Sequence, residues 1–232
     1  MTTWNLEALR DAVEKLHGPA QKKAINPSLN SLVLRMKFVS YHYHEAARLL
    51  ANATAPHTGS DAMARLLLGN DAASEQFEDA RLQATAHITS CVQSMHSVAD
   101  TLAHTVYFAL GMNLAQATRL KPRLIGMARV IQLLPIGPLH DLIKTLVEHD
   151  DFRYFSALNN LGKHHSIVDT PYSLDLEQDG RPHGLVFVSF ENDTKSFEER
   201  WAMHALKLEG ARQSLLIVEI GRSLNAALSA NG

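Results

Sequence analysis

The stretch between residues 72 and 110 contains neither proline nor glycine, and this feature restricts the possible folds more than any other. A continuous helix over this stretch would be roughly 55–60 Å long at 1.5 Å per residue. Its apolar side chains recur along one face and include Phe77, Ile88, Met95 and Leu102. Such a helix needs other long helices packed along it. The sequence therefore predicts a mainly α fold, a bundle of long antiparallel helices.

Three other segments with helical periodicity are expected to supply further helices of this bundle. An N-terminal helix is expected over residues 3–17, where Gly18-Pro19 follows. A second helix is expected to begin at Asn26-Pro27 and to run to residue 53. The last helix is expected to follow a capping box formed by Ser196 and Glu199 and to end near residue 229.

Only one part of the chain has the pattern of β-structure. Residues 172–176 alternate apolar and polar side chains, Asp179-Gly180 supplies turn residues, and residues 185–190 are rich in strand formers. This pattern predicts a small hairpin, inserted at about residues 172–190 before the C-terminal helix. No internal repeat or long linker is visible, so residues 1–232 are expected to form a single helical domain.

Charge and cysteine content exclude several classes of protein. The 22 Lys and Arg against 24 Asp and Glu give a formal charge of −2, which argues against a broad DNA-binding surface. The single cysteine, Cys91, lies among apolar residues at helical spacing and is expected to be buried. No export signal and no membrane-spanning run is visible, so we expect a cytoplasmic protein with no membrane partner.

The chain contains 13 histidines, and two groups of them invite a metal interpretation. His42 and His44 point about 200° apart on a regular helix and cannot bind one ion together. His96, Asp100 and His104 follow at steps of four and share one stripe, which could ligate a metal for a hydrolytic reaction. A polar stripe opposite an apolar one is more often a solvated face, so this metal-dependent hydrolase is an alternative only. Isolated histidines receive no role: His17, His57, His87, His140, His149, His183 and His204.

The polar side chains that could form a functional site are concentrated in the helical segment from residue 152 to residue 166. Its polar side chains form two neighbouring stripes, Arg153, Asn160 and His164 on one, and Asn159 and Lys163 on the other. Asn is a poor residue for a helix interior, and Gly162 is worse by about 1 kcal/mol relative to Ala. Local propensity is therefore overridden here, either by a polar network that joins two helices or by a ligand site.

These residues and the long helices resemble the HEPN superfamily, the higher-eukaryote and prokaryote nucleotide-binding helical domains. The resemblance covers about residues 72–229, and the family motif is Arg, a polar residue, any three residues and His. The matching residues are 159–164, where Asn160 and His164 fit and Asn159 stands in place of the arginine. The segment also resembles the Asn-x-x-x-Lys-His signatures of bacterial helical proteins of this general type.

The resemblance implies a nucleotide or RNA ligand, and the long helical face predicts a homodimer. In active relatives, many of which are ribonucleases, the arginine holds phosphate and the histidine acts on the ribose hydroxyl or the leaving group. Because Asn159 replaces that arginine, Lys163 or Arg153 would have to hold the phosphate. We therefore predict a binding or regulatory module for nucleotide or RNA. The alternative is a metal-independent ribonuclease with His164 as the general acid or base.

The predicted site combines this segment with one residue of the long helix. Asp100 is expected to pack toward the stripe of Asn160 and His164 and to fix a histidine tautomer there. The predicted ligand-binding residues are Asn159, Asn160, Lys163, His165, Arg153 and Asp100. No cofactor is predicted, and no metal outside the alternative stripe.

Overall fold

A computed structural model describes residues 3–174 and 183–230 of the chain. The fold is mainly α, with a small antiparallel sheet before the last helix, as the sequence predicts. The α-helices are α1 (Leu6–His17), α2 (Pro19–Thr54), α3 (Ser60–Leu68), α4 (Ala72–Ala109), α5 (Met127–Leu133), α6 (Pro138–Val147), α7 (Asp150–His164) and α8 (Ala202–Ser229), with one 3-10 turn at Pro122–Leu124. The strands are β1 (Tyr172–Ser173), β2 (Gly184–Phe187), β3 (Phe190–Asn192), β4 (Lys195–Phe197) and β5 (Arg200–Trp201).

The first two helices begin at residues other than those that the sequence predicts. Helix α1 begins at Leu6 rather than residue 3, because the Asn5 side chain accepts a hydrogen bond from the Ala8 N–H at 3.0 Å and caps it. Helix α2 begins at Pro19 and continues through Pro27, so only Gly18 separates it from α1. Proline is well tolerated at the first helical position, which explains the start at Pro19.

The predicted hairpin is present, but the sheet extends further than residue 190. Strand β1 pairs antiparallel with β2, with Tyr172 opposite Leu185, and β2 pairs antiparallel with β5. The predicted turn at Asp179-Gly180 lies outside the described residues. Strands β3 and β4 form a second antiparallel pair, in which the rings of Phe190 and Phe197 stack at 4.9 Å.

The predicted capping box at the start of the last helix is wrong. Ser196 belongs to β4, and Glu199 lies between β4 and β5. Pairing of the strands keeps the chain extended through Trp201, so α8 begins only at Ala202.

The chain divides into two compact units. Unit 1 comprises residues 1–37, 95–153 and 211–232, and unit 2 comprises residues 38–94 and 154–210. The prediction of a single domain over the whole chain stays a prediction.

Unit 1 has a large apolar core. Helices α1, α2, α4, α6 and α8 all contribute fully buried side chains to it, among them Leu9, Ile25, Leu102, Ile143 and Leu224. Its buried Gln21 is paired on both sides of the amide: Nε2 donates to the Phe108 carbonyl and to Asn113 Oδ1, and Oε1 accepts from Asn113 Nδ2 at 3.1 Å.

Unit 2 is held together by an aromatic cluster around Tyr154 of α7. The Tyr154 ring contacts four phenylalanine rings at centroid distances of 5.3–6.3 Å, and the Arg200 guanidinium lies over it at 4.2 Å. The four are Phe155, Phe187, Phe190 and Phe197. This cluster fixes α7 against the small sheet.

The prediction for Cys91 is confirmed. The thiol is fully buried in unit 2 and lies 3.5 Å from the Val39 carbonyl oxygen. Burial raises its pKa to about 12, so the reactive thiolate is absent at neutral pH.

Candidate functional site

The polar residues of α7 separate into one buried side chain and several exposed ones. Asn159 is 3% exposed, whereas Asn160 and Lys163 are exposed. His164 and His165 are exposed as well, at the C-terminal end of the helix. The sequence predicted these residues as one site, but only Asn159 points into the interior of unit 2.

Asn159 lines a small cavity of about 80 Å³ within unit 2. By volume, such a space holds a few water molecules or the edge of a planar ring. Four parts of the chain form its wall: α4, the last turns of α7, the connector that follows α7, and β2. The lining residues are Thr89, Val92, Gln93, Leu158, Asn159, Gly162, Ile167, Val168, Thr170 and Phe187.

The carboxamide of Asn159 is the unusual group of this cavity. Neither its Nδ2 nor its Oδ1 has a hydrogen-bond partner in the part of the chain that the structure describes. Leaving a buried polar group unpaired costs about 1–3 kcal/mol of folding free energy. An amide in this position is therefore stabilised only when a group from outside the described chain, such as a ligand or water, occupies the cavity.

Gly162 stands at the mouth of the same cavity without a packing reason. A Cβ atom added there would meet no described atom within 4 Å. A helical glycine costs about 1 kcal/mol relative to alanine, and packing against the described residues does not require a glycine here. Gly162 is exposed, and the space beside it is open to solvent.

The two threonines of the cavity wall can still accept hydrogen bonds. The Thr89 hydroxyl donates to the Thr85 carbonyl at 3.0 Å, and the Thr170 hydroxyl donates to the Val168 carbonyl at 3.5 Å. Each hydroxyl has one proton, which is used, and lone pairs that remain available. The cavity therefore offers the two N–H groups of Asn159 Nδ2, acceptors on Asn159 Oδ1 and on both hydroxyls, and apolar walls.

Cationic and imidazole groups follow the cavity along the chain. Lys163 lies four residues after Asn159, on the same side of α7, and His164 and His165 come next. Within the described residues, none of these three side chains forms an ion pair. Helix α7 ends here, where the His165 N–H donates to the Leu161 carbonyl at 2.9 Å.

Arg153 and Asp100, the other two predicted ligand-binding residues, belong to unit 1. Arg153 is exposed and lies 3.6 Å from the Asp150 carboxylate. Asp100 is exposed on α4. The prediction that Asp100 packs toward Asn160 and His164 stays a prediction.

The stripe proposed for a metal does not form a ligand cluster. Among the described residues, the ligand atoms of His96, Asp100 and His104 do not all come within 4.8 Å of one another. The His104 ring instead lies beside Phe108, with centroids 6.3 Å apart. Steps of four on a helix place residues on one face, but each step also separates them by about 6 Å along the axis.

A larger cavity of about 540 Å³ also lies in unit 2. Its walls include the aromatic side chains of Tyr43, Tyr172 and Trp201, with His183 and His204 at its edge. The Tyr172 hydroxyl contacts His183 Nδ1 at 2.5 Å, so these two polar groups of the wall are paired with each other.

The sequence did not indicate most of the cavity wall. Thr89 and Gln93 are four residues apart on one face of α4, which is a weak signal that many helices share. Thr170 and Phe187 reach the cavity only because β1 and β2 pair after α7. The Nδ1 atoms of His42 and His87 lie 2.9 Å apart, and the sequence did not indicate this contact, since the two residues are 45 positions apart.

Comparison with family models, curated proteins and solved structures finds no match for this chain. The HEPN resemblance therefore stays a prediction. None of the described helices has both the length and the apolar character needed to cross a membrane.

Proposed function

We propose that this protein is a binding or regulatory module for a nucleotide moiety, free or within RNA, and that Asn159 recognises the base. The observation that carries the proposal is the buried Asn159 carboxamide, unpaired within the described chain, beside the open space at Gly162. Both features are unfavourable for folding and both lie on one cavity. Sites where local rules are broken in this way are enriched in function.

The chemistry of the cavity suits the edge of a heterocyclic base. A carboxamide presents a donor and an acceptor side by side, and asparagine pairs in this manner with the edge of adenine. The apolar wall, which includes Val92, Leu158 and Phe187, would contact the faces of a planar ring. A base can enter a buried cavity edge-on only when it is unstacked, which favours single-stranded RNA or a free nucleotide over a duplex.

Lys163, His164 and His165 supply the phosphate contacts in this proposal. They are exposed, and no carboxylate in the described chain pairs with them. A lysine holds phosphate as a point charge, whereas an arginine binds two of its oxygens. The asparagine at position 159 therefore favours binding over the cleavage expected of relatives with arginine. The near-neutral chain fits a compact site rather than a broad nucleic-acid surface.

The test measures binding of fluorescein-labelled single-stranded RNA and, separately, of the four nucleoside monophosphates. Asn159→Leu keeps the side-chain size but removes both polar atoms, and it is expected to weaken binding by about 1–3 kcal/mol. Lys163→Met is expected to weaken RNA binding as well, and the loss should be larger at low salt than at high salt. Lys207→Met is the matched control, because Lys207 is an exposed lysine elsewhere in unit 2.

Several outcomes would overturn the proposal. It fails if the unmodified protein binds neither RNA nor a nucleotide, or if Asn159→Leu binds both as well as the unmodified protein does. Loss of binding in Trp201→Ala alone would assign the ligand to the larger cavity. Cleavage of the RNA that His164→Ala abolishes would replace binding with the ribonuclease alternative. Light scattering on the same samples tests the homodimer that the long helical face predicts.

A further inference from the structure

The cavity that contains Asn159 has only neutral side chains in its described wall. None of the residues that line it carries an ionisable group. The cavity therefore does not distinguish ligands by charge. Its selection between ligands depends on which ligand groups donate hydrogen bonds and which accept them.

The amides of the wall do not decide between these two kinds of ligand. The Asn159 carboxamide presents an N–H group beside a carbonyl oxygen, and a turn of 180° exchanges the two. It therefore pairs with an amino group beside a ring nitrogen, as in adenine, and equally with a carbonyl beside a ring N–H, as in hypoxanthine. The exposed Gln93 amide has the same property.

The two threonine hydroxyls of the wall are different, because each has one fixed role. The Thr89 hydroxyl donates its proton to the Thr85 carbonyl at 3.0 Å, and the Thr170 hydroxyl donates to the Val168 carbonyl at 3.5 Å. The oxygen of each hydroxyl can then only accept. A ligand amino group gains a hydrogen bond there, whereas a ligand carbonyl would face a second oxygen and gain none.

The small sheet holds Thr170 at the cavity. If the register of β1 and β2 is continued by two residues, Thr170 lies opposite Phe187, and both residues line the cavity. The next backbone contact fixes this position, since the Val186 N–H donates to the Pro171 carbonyl at 3.0 Å. The Thr170 side chain is 4% exposed, so its hydroxyl acts within the cavity and not toward solvent.

We propose that the cavity selects a base with an amino group beside an unprotonated ring nitrogen, as adenine and cytosine have, and that Thr89 and Thr170 make this selection. The amino group donates one hydrogen to Asn159 Oδ1 and the other to a threonine hydroxyl, and the ring nitrogen accepts from Asn159 Nδ2. Hypoxanthine and uracil have a carbonyl and a ring N–H in these places, so the amide still pairs with them but the hydroxyls do not. The selection rests on the proposed function, to which it adds the class of base.

The test compares ligands that differ only at this edge of the base. Isothermal titration of the full-length protein measures binding of AMP against IMP and of CMP against UMP, and the same four bases are compared as short single-stranded homopolymers of RNA. We expect the amino-bearing member of each pair to bind about five- to tenfold more tightly, which is the contribution of one neutral hydrogen bond.

Two substitutions test the assignment to the threonines. Thr89→Val and Thr170→Val each remove one hydroxyl and keep the shape of the side chain. The double variant should bring the ratio of AMP to IMP affinity to about one, mainly by weakening AMP. Thr145→Val is the matched control, because Thr145 is exposed in unit 1 and donates to the carbonyl four residues earlier, as Thr89 does. The ratio is independent of any unfolded fraction, which would reduce the binding of both nucleotides equally.

The possible results separate the selection from the proposed function. If the unmodified protein binds the members of each pair equally, or binds the carbonyl-bearing member more tightly, the selection is wrong and the proposed function stands. The selection is also wrong if the double variant keeps the ratio of the unmodified protein. If none of the nucleotides or RNAs binds, both are wrong.

Discussion

Two helical glycines show how differently the two units use an unfavourable residue. Gly221 of α8 is buried in unit 1, where the indole ring of Trp4 occupies the position that a Cβ atom would take. Gly162 of α7 is exposed in unit 2, and an added Cβ would meet no described atom within 4 Å. Both cost about 1 kcal/mol relative to alanine in a helix. Only at Gly221 does close packing explain the glycine.

The buried amides of the two units differ in the same way. Gln21 in unit 1 is 3% exposed and is paired through both Nε2 and Oε1. Asn159 in unit 2 is equally buried and has no partner among the described residues for either atom. A buried polar group that is paired contributes to folding, whereas one left unpaired opposes it. The difference is local to these two amides: the Gln21 amide is satisfied by its own core, whereas the Asn159 amide faces a cavity.

The largest effect is expected for Gly221→Ala. The added methyl group overlaps the Trp4 ring, so either the core of unit 1 is overpacked or Trp4 is displaced and its hydrogen bond to Asn225 at 3.2 Å is lost. We expect a loss of about 1–3 kcal/mol in the free energy of unfolding, measured by urea titration. The contrast between the glycines fails if this variant is as stable as the unmodified protein.

Gln21→Leu is expected to have the next largest effect, a loss of about 1–2 kcal/mol in the free energy of unfolding. The leucine side chain has a similar size, but it leaves the amide of Asn113 and the carbonyl of Phe108 without their partner. Gln132→Leu is a suitable control, because Gln132 is exposed in unit 1 and accepts a hydrogen bond from Arg129. Equal effects of the two substitutions would show that the Gln21 hydrogen bonds contribute little.

The sequence predicted the features that leave a local pattern and missed those that depend on contacts between distant segments. Periodicity and the absence of proline from residues 72–110 identified α4, because burial of one helix face leaves a local pattern. The unusual composition around Asn159 and Gly162 was also local and could be recognised. The environment of each glycine was not, since Trp4 approaches Gly221 from the other end of the chain. The cavity wall and the pair of His42 and His87 depend likewise on contacts between distant segments.

A substitution at Asn159 is expected to stabilise the protein instead of destabilising it. Asn159→Leu removes two unpaired polar atoms from a buried position, so we expect the free energy of unfolding to rise by about 1 kcal/mol in the absence of ligand. Urea titration with and without nucleotide measures both the gain and the loss of ligand-dependent stabilisation. A clear destabilisation would mean that the Asn159 amide takes part in a network that holds unit 2 together.

The smallest effect is expected for Gly162→Ala, and it separates folding from binding most directly. Alanine is the better helix former and meets no described atom, so the free energy of unfolding should rise by about 0.5–1 kcal/mol. The same methyl group stands at the mouth of the cavity and should weaken nucleotide or RNA binding. Urea titration and the binding assay on one preparation measure the two effects together. If Gly162→Ala is more stable and binds nucleotide and RNA as well as the unmodified protein does, the glycine is not needed for the ligand. The contrast with Gly221 would then say nothing about function.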